Sequence, residues 1–507
     1  MKRVLFLTKN IRDQRYGLLA LAAYLKEQGH VLDYMYVSDD AYVEALGSEA
    51  GRATKSERVT TNDVIDRIAE FKPDYLAVTA MTGEFKFLLR VLEKVKAVYP
   101  DLYVVLGGPH ATFSGAQAVQ SPLIDAICRG EGETAFAEFL EVHPDGDYLS
   151  VKNFGFHVDG KVILNPLRPL MKMDDLPIPD YDFIPRTIKD KFVVFASRNC
   201  PYACTYCFNR EYRRMYKDEG ETSVYNTMSV DRFMRELNYL NEKYDFEYFY
   251  FQDDVFPIAK SWLKEFAERY PKEIGKPFHV GLNPVMIREE IVVLLKEAGL
   301  RSLNMAIESG SERVRKNVMD RPPATNQEII EVCRLLKKHG IYINTQNIIM
   351  SPTETLEEAK MTLELNIAGK VDNAVIGKFQ PYPGTRMGKY AEELGLVDGN
   401  TLLDKLPENY HWESILDFPE DVAIQMDNLV HMFSFTVKYP FMKPIVYKLL
   451  PYRWDWLFHR IDDQFWMTQT HRSMQSILKR SFWTEAAISA LFTWRLLFPK
   501  KKKSFAY

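Results

Sequence analysis

Apolar residues in the first 140 positions come as short runs separated by amphipathic stretches. Runs at 3–8, 31–37, 75–79 and 103–106 have the near-continuous apolar character of strands buried on both faces. Between them, 16–28, 63–70 and 85–98 repeat apolar residues at helical spacing, the first closing on Gly29. This alternation predicts a Rossmann-like, doubly wound α/β domain over residues 1–140. Ligands of such sheets sit over the carboxyl ends of the strands, here loops 8–16, 79–84, 107–113 and 129–134.

The rhythm breaks at 141–187. Pro166, Pro169, Pro177, Pro179 and Pro185, with Asp-rich turns between them, predict a linker that wraps rather than a domain. Alternation resumes with an apolar run at 192–196, followed by strands at 247–251, 278–282, 302–307, 343–350 and 374–379. Six short strands with helices between them predict a partial (β/α)6 barrel over 188–395, with its chemistry at the carboxyl ends of the strands. From 396 to 507 the alternation is gone, and helices at 422–438 and 473–498 predict a helical C-terminal domain.

Composition narrows the class. A chain of 507 residues that is 46% hydrophobic and 26% charged is an ordinary globular protein of two to four domains. The net charge of -4 argues against nucleic-acid binding, but it conceals an asymmetry. From Lys438 to Tyr507 there are 13 Lys and Arg against 4 Asp and Glu, with Trp454, Trp456, Trp466, Trp483 and Trp494 interleaved. A basic, aromatic tail sets two expectations, a helical cap over the barrel or peripheral contact with a membrane. No apolar run reaches the ~20 residues that span a bilayer, and the first residues lack the pattern of a secretory leader. The expected location is the cytoplasm, with contact at the inner membrane surface.

The candidate chemistry centres on Cys200, Cys204 and Cys207, three of five cysteines within eight residues, at the end of the first barrel strand. Iron-sulfur clusters are held by thiolates, usually four, so three leave one iron open to bind another molecule. Zinc would want a fourth ligand at short spacing, and disulfides fit poorly with so few cysteines. Cys128 and Cys333 have no partners at ligand spacing and read as small buried hydrophobes.

The spacing C-x3-C-x2-C, with Tyr206 before the last cysteine, resembles the signature of radical S-adenosylmethionine (SAM) enzymes. The resemblance implies a [4Fe-4S] cluster whose open iron chelates SAM and which, when reduced, cleaves it to a 5'-deoxyadenosyl radical. It also implies that Asp253 and Asp254 meet the SAM ammonium, that Glu308-Ser309-Gly310 meets its ribose or amino-acid end, and that Tyr206 packs on adenine. The alternative for Asp253 and Asp254 is a solvated turn or a helix cap. After the fifth strand, where relatives are glycine-rich, this chain reads Asn347-Ile-Ile-Met-Ser-Pro-Thr-Glu354.

A second resemblance rests on Tyr16-Gly-Leu-Leu-Ala-Leu, Gly107-Gly-Pro-His-Ala-Thr112 and Arg129-Gly-Glu-Gly-Glu-Thr134. These look like the cobalamin-binding domain that precedes the barrel in B12-dependent radical SAM enzymes. It implies corrin contacts from Thr79, Thr82, Gly107, Gly108, Pro109, His110, Gly130 and Glu131. The D-x-H-x-x-G loop that offers a histidine to cobalt is absent, as is common in that family. His110 is therefore expected at the cofactor's periphery or in packing rather than on the metal. The alternative is a Rossmann-like domain with another ligand.

Together the resemblances imply an oxygen-sensitive C-methyltransferase acting at an unactivated carbon, its cluster reduced by a donor such as a flavodoxin or ferredoxin. The tail adds the expectation of an apolar or lipid-like substrate. The alternatives are a cobalamin-using cyclase or rearrangement enzyme, and a non-catalytic cobalamin or redox sensor.

Overall fold

The computed structural model describes residues 1–9, 15–38, 59–184, 190–399, 406, 414–453, 457–458 and 461–462. Five parallel strands form most of the first sheet: β1 (Arg3–Lys9), β2 (Val31–Val37), β3 (Tyr75–Thr79), β4 (Tyr103–Gly107) and β5 (Ala126–Cys128). They run in the order β2-β1-β3-β4-β5, so the order reverses between β1 and β3. Helices α1 (Tyr16–Glu27), α2 (Thr61–Phe71), α3 (Phe85–Val98), α4 (Gly108–Ala118) and α5 (Glu133–Val142) provide the crossovers.

Alternation along β1 explains why both faces are covered. Phe6 packs into one core with Tyr16, Leu19, Phe136 and Phe139, while Leu5 and Leu7 enter the other with Val64, Ile68, Leu88 and Leu92.

One boundary moves. The stretch expected to be linker adds β6 (Phe154–Val158) and β7 (Lys161–Leu164) to the same sheet, antiparallel, beyond β5. Asp159 (φ 51°) and Gly160 (φ 74°) both lie in the left-handed region, the two-residue hairpin turn that Asp-Gly favours. The proline count masked this signal.

The second sheet is all parallel and in chain order: β8 (Lys191–Val194), β11 (Tyr248–Phe251), β12 (Phe278–Leu282), β13 (Leu300–Glu308), β14 (Tyr342–Ile349) and β15 (Asn373–Lys378). Two short strands, β9 (Ser197–Arg198) and β10 (Asn226–Thr227), pair with each other beside its first strand. The helices α6 (Phe208–Asp218), α7 (Val230–Lys243), α8 (Lys260–Glu273), α9 (Glu289–Ala298), α10 (Asn326–Lys338) and α11 (Leu356–Ala368) follow successive strands. Capping boxes at Thr325 with Glu328 and Thr355 with Glu358 start the last two, each cap contributing about 1 kcal/mol.

The barrel is open, since β8 and β15 are its two edges. Helix α12 (Arg386–Glu393) follows the loop after β15. Helix α13 (Glu420–Lys438) then lies along the β15 edge, where the Ser434 hydroxyl donates to the Ala374 carbonyl at 2.6 Å. A short helix α14 (Lys443–Leu449) follows. The predicted helix at 473–498, the five tail tryptophans and the terminal lysines lie outside the described residues. Among the described residues no helix is long and apolar enough to cross a membrane.

Candidate functional site

The cysteine loop leaves β9 through Asn199, whose φ of 63° turns the chain and whose side-chain amide donates to the Val224 carbonyl at 2.9 Å. Its far end is pinned by Thr205, whose N–H donates to the Met319 carbonyl at 2.9 Å and whose hydroxyl donates to the Val318 carbonyl at 2.6 Å. The Thr205 carbonyl accepts from the Met387 N–H at 3.0 Å, and Arg210 donates to the Ala203 carbonyl at 2.8 Å. The loop is held by bonds from three other segments before any cofactor is considered.

Cys204 is buried, whereas Cys200 and Cys207 are partly exposed. Burial pushes the Cys200 thiol up to about 11 and the Cys207 thiol up to about 12, so metal binding here would displace protons. Among the described residues no three His, Cys, Asp or Glu side chains gather as the ligands of a single ion. The donor set fits a cluster with one open iron.

Around the loop, the structure separates the residues that the resemblance grouped. Asp254 is open to solvent, accepts from the Asn209 amide at 2.9 Å, and its charge is felt at both Cys200 and Cys207. Although the residue is exposed, desolvation by the surrounding protein raises its carboxyl, and the Asn209 hydrogen bond opposes that. Asp253 points the other way. It is 6% exposed, takes the Ser197 hydroxyl at 2.5 Å, and has one oxygen without a partner, so burial pushes its carboxyl up to about 7. Of the pair, only Asp254 faces the mouth.

Glu308 ends β13 in the left-handed region, with φ 70°. It accepts from the Tyr206 hydroxyl at 3.0 Å and lies 3.5 Å from Arg321 Nη1. Arg321 also donates to the Tyr206 hydroxyl at 2.6 Å and to the Ala306 carbonyl at 2.5 Å, and comes within 3.9 Å of Cys204 Sγ. Burial raises the Glu308 carboxyl and the guanidinium opposes it. Tyr206 packs on the cluster of Val318, Met319 and Met387, so its hydroxyl is committed and its ring is partly used. Ser309 and Gly310 are packed against α11. Ser309 is fully buried, and a Cβ on Gly310 would lie 2.2 Å from the Met361 carbonyl of α11. Arg321 was not foreseen, because nothing in its local pattern marks a residue 13 positions past Glu308.

In the first domain, Thr79, Gly107, Gly108 and Pro109 are partly exposed at the strand ends, and Thr82 is buried in the following turn. Arg15 reaches Glu84 at 2.6 Å across the β1/β3 reversal and keeps one buried nitrogen unpartnered. His110 is fully buried against Phe85, with ring centroids 4.0 Å apart, and neither ring nitrogen has a partner. Burial pushes it down to about 4, so it is neutral and sits beneath the surface that a corrin would meet. The partly exposed backbone of Thr79, Gly107 and Gly108, with the unpartnered Arg15 nitrogen nearby, offers what a large, amide-bearing ligand would meet, so the residues fit cobalamin.

Glu131 and Gly130 are tied to the second domain. Glu131 accepts from Arg198 at 3.0 Å and from the Met171 N–H at 2.9 Å, and Glu133 accepts from Arg198 at 2.6 Å. A side chain on Gly130 would collide with the Tyr216 hydroxyl at 2.4 Å. This loop joins the first domain to the strand just before Cys200. A second joint lies beside Cys207. The Phe113 ring of α4 stacks on Phe208 at 4.4 Å, and Phe208 meets Tyr382 of the loop after β15 at 5.3 Å. A surface cavity of about 320 Å3 by Tyr34, Asp180 and Phe183 belongs to the outer strand β2 and not to this site.

Comparison with known proteins agrees with this arrangement. Residues 194–365 match the radical SAM superfamily, and residues 14–140 match the B12-binding domain. An uncharacterized methyltransferase of Pyrococcus horikoshii is 30% identical over 349 residues, covering 66% of this chain and 73% of that protein. The anaerobic magnesium-protoporphyrin IX monomethyl ester cyclase of Rubrivivax gelatinosus is 27% identical over 380 residues, 72% of this chain and 63% of that one. In fold, the chain resembles the radical SAM methyltransferase TsrM of Kitasatospora setae with cobalamin and a [4Fe-4S] cluster bound (TM-score 0.60, 16% identity, covering 78% of this chain and 79% of that one). It also resembles OxsB with aqua-cobalamin bound (TM-score 0.65, 15% identity, covering 97% and 80%). The chain belongs to the radical SAM enzymes that carry an N-terminal B12-binding domain, with a [4Fe-4S] cluster, SAM and cobalamin as cofactors.

Proposed function

We propose that this protein is a C-methyltransferase acting at an unactivated carbon. The carrying observation is the Phe113–Phe208 stack with the Arg198–Glu131–Glu133 triad, which sets the strand ends of the B12-binding domain beside the cysteine loop. Cofactors bound to the two domains would share one space. When bound, the cluster and cobalamin supply reductive cleavage of SAM and carriage of a methyl group.

The chain's own residues bind and orient. Asp254, exposed and electrostatically close to two of the cysteines, offers a carboxylate to the SAM ammonium. Glu308, oriented by Tyr206 and Arg321, offers an acceptor to a ribose hydroxyl, and Arg321 offers its guanidinium to the SAM carboxylate. Helix α13 closes the β15 edge and helps to keep water from the mouth.

The second reading is ring closure without methyl transfer, favoured by the similarity to the Rubrivivax cyclase. Anaerobic turnover with methyl-labelled SAM separates the two. A product heavier by one labelled methyl group supports methyl transfer, while deoxyadenosine release with an unlabelled product favours the cyclase.

A further inference from the structure

Below the mouth, much of the inner face of the second sheet is polar, although Ala306 and Val375, which flank Gln346, and Ile348 share it. Strand residues alternate between faces, so the parity that sends Phe249, Val280, Leu303 and Ile343 into the helix-covered core sends Tyr250, His279, Asn304, Asn344, Gln346 and Asn373 inward. The strand register lines them up: Tyr250 beside His279, Asn304 beside Asn344, and Asn344 beside Asn373.

These groups touch one another. The Tyr250 and His279 rings stack at 4.4 Å, Asn304 donates to the Tyr250 hydroxyl at 2.9 Å, and Asn373 donates to the Asn344 side-chain carbonyl at 3.2 Å. Two members are left over. Gln346 is exposed although its strand has neighbours on both sides, which requires an open trough in front of it. His279 is 2% exposed, bonds Ser302 at 2.6 Å through Nδ1, and has no partner at Nε2.

The trough leads to the site, because β13, which carries Asn304, ends in Glu308. None of the six is a carboxylate, burial drives His279 down to about 3 and keeps it neutral, and the Lys191 ammonium lies over the Tyr250 ring at 4.8 Å, at the amino end of β8. A hydrocarbon laid on this face would strip water from the amides and satisfy none of them.

We infer that the inner face of the second sheet binds the substrate through a polar group rich in hydrogen-bond donors and acceptors, such as an amide, a hydroxyl or a ring nitrogen. This rests on the methyl-transfer reading for the site's purpose. It departs from the apolar substrate expected from the aromatic tail, most of which lies outside the described residues.

The test uses the reconstituted holoenzyme, methyl-labelled SAM and the two phases of a chloroform and aqueous-methanol extract of the source organism. Label entering an aqueous-phase product is expected, with Asn304→Leu and Gln346→Leu each raising the extract concentration needed for half-maximal labelling about tenfold. Iron content and SAM binding should stay unchanged in both variants. Label in a chloroform-phase product, or aqueous labelling indifferent to both variants, overturns the inference and leaves methyl transfer standing. Deoxyadenosine release driven by the aqueous phase without label transfer supports the inference and sinks methyl transfer. The same release driven by the chloroform phase overturns both.

Discussion

Replacing Arg198 by methionine removes the one cation shared by Glu131 and Glu133. The three side chains are 15%, 12% and 4% exposed, so this is a buried ion triad rather than a surface bridge. Deleting one partner of a buried pair costs about 3–5 kcal/mol, because the remaining charge stays desolvated. Glu131 keeps the Met171 N–H, which places the expected loss near the lower end, about 3 kcal/mol. Since about 1.4 kcal/mol corresponds to a decade, amide-exchange protection in residues 197–207 should fall about 100-fold.

The loss should depend on pH. Burial already raises the Glu131 carboxyl against the pull of Arg198, and without that cation it would be held further above its unfolded value. A raised carboxyl stabilises the fold below its unfolded pKa and loses that contribution as pH rises, so the deficit is smallest near pH 4 and largest above neutrality. Adding Glu131→Gln and Glu133→Gln should restore most of the protection. A fall of less than about fivefold, or no recovery in the triple variant, would refute the triad as the joint between the domains.

Three further outcomes follow from the geometry. Arg321→Gln, which frees Glu308 and Tyr206, should weaken SAM binding at least about tenfold by equilibrium dialysis while iron content is kept; unchanged affinity would exclude Arg321 from the SAM site. Asp253, held up to about 7 by burial, should make wild-type stability fall as pH rises from 4 to 7; Asp253→Asn should flatten that dependence in urea melts, and an unchanged slope would contradict it. Phe441, Ile445 and Tyr452 are 75%, 50% and 57% exposed in a segment, 438–453, that has no acidic residue, so intact protein should float with anionic vesicles. Phe441→Ser with Ile445→Ser should cut recovery about tenfold, and equal recovery with neutral vesicles would sink the membrane contact.

Much of the architecture was legible because it depends on local alternation. Four of the five parallel strands of the first sheet and the six of the second announce themselves as apolar runs, and the cysteine spacing carries its own chemistry. The β6–β7 hairpin was legible too, in Asp159-Gly160 between apolar runs, but the surrounding prolines pointed to a linker. Neighbours in sequence were harder. Asp253 and Asp254 look equivalent in the chain, yet alternation at a strand end sends one into the wall and the other to the mouth.

By itself the sequence determined which elements form, their order, and the presence of three thiols able to hold a cluster, because each of these is set by residues within a few positions of one another. Only the tertiary structure decided which charges meet. It joined Glu131 to Arg198, buried His110 beneath the strand ends, and brought Arg321 to Cys204. It also gathered amides from three strands into one trough. Charges and hydrogen bonds act across space at a few ångströms, and the residues they join here lie from a few to more than a hundred positions apart, a separation that no local pattern records.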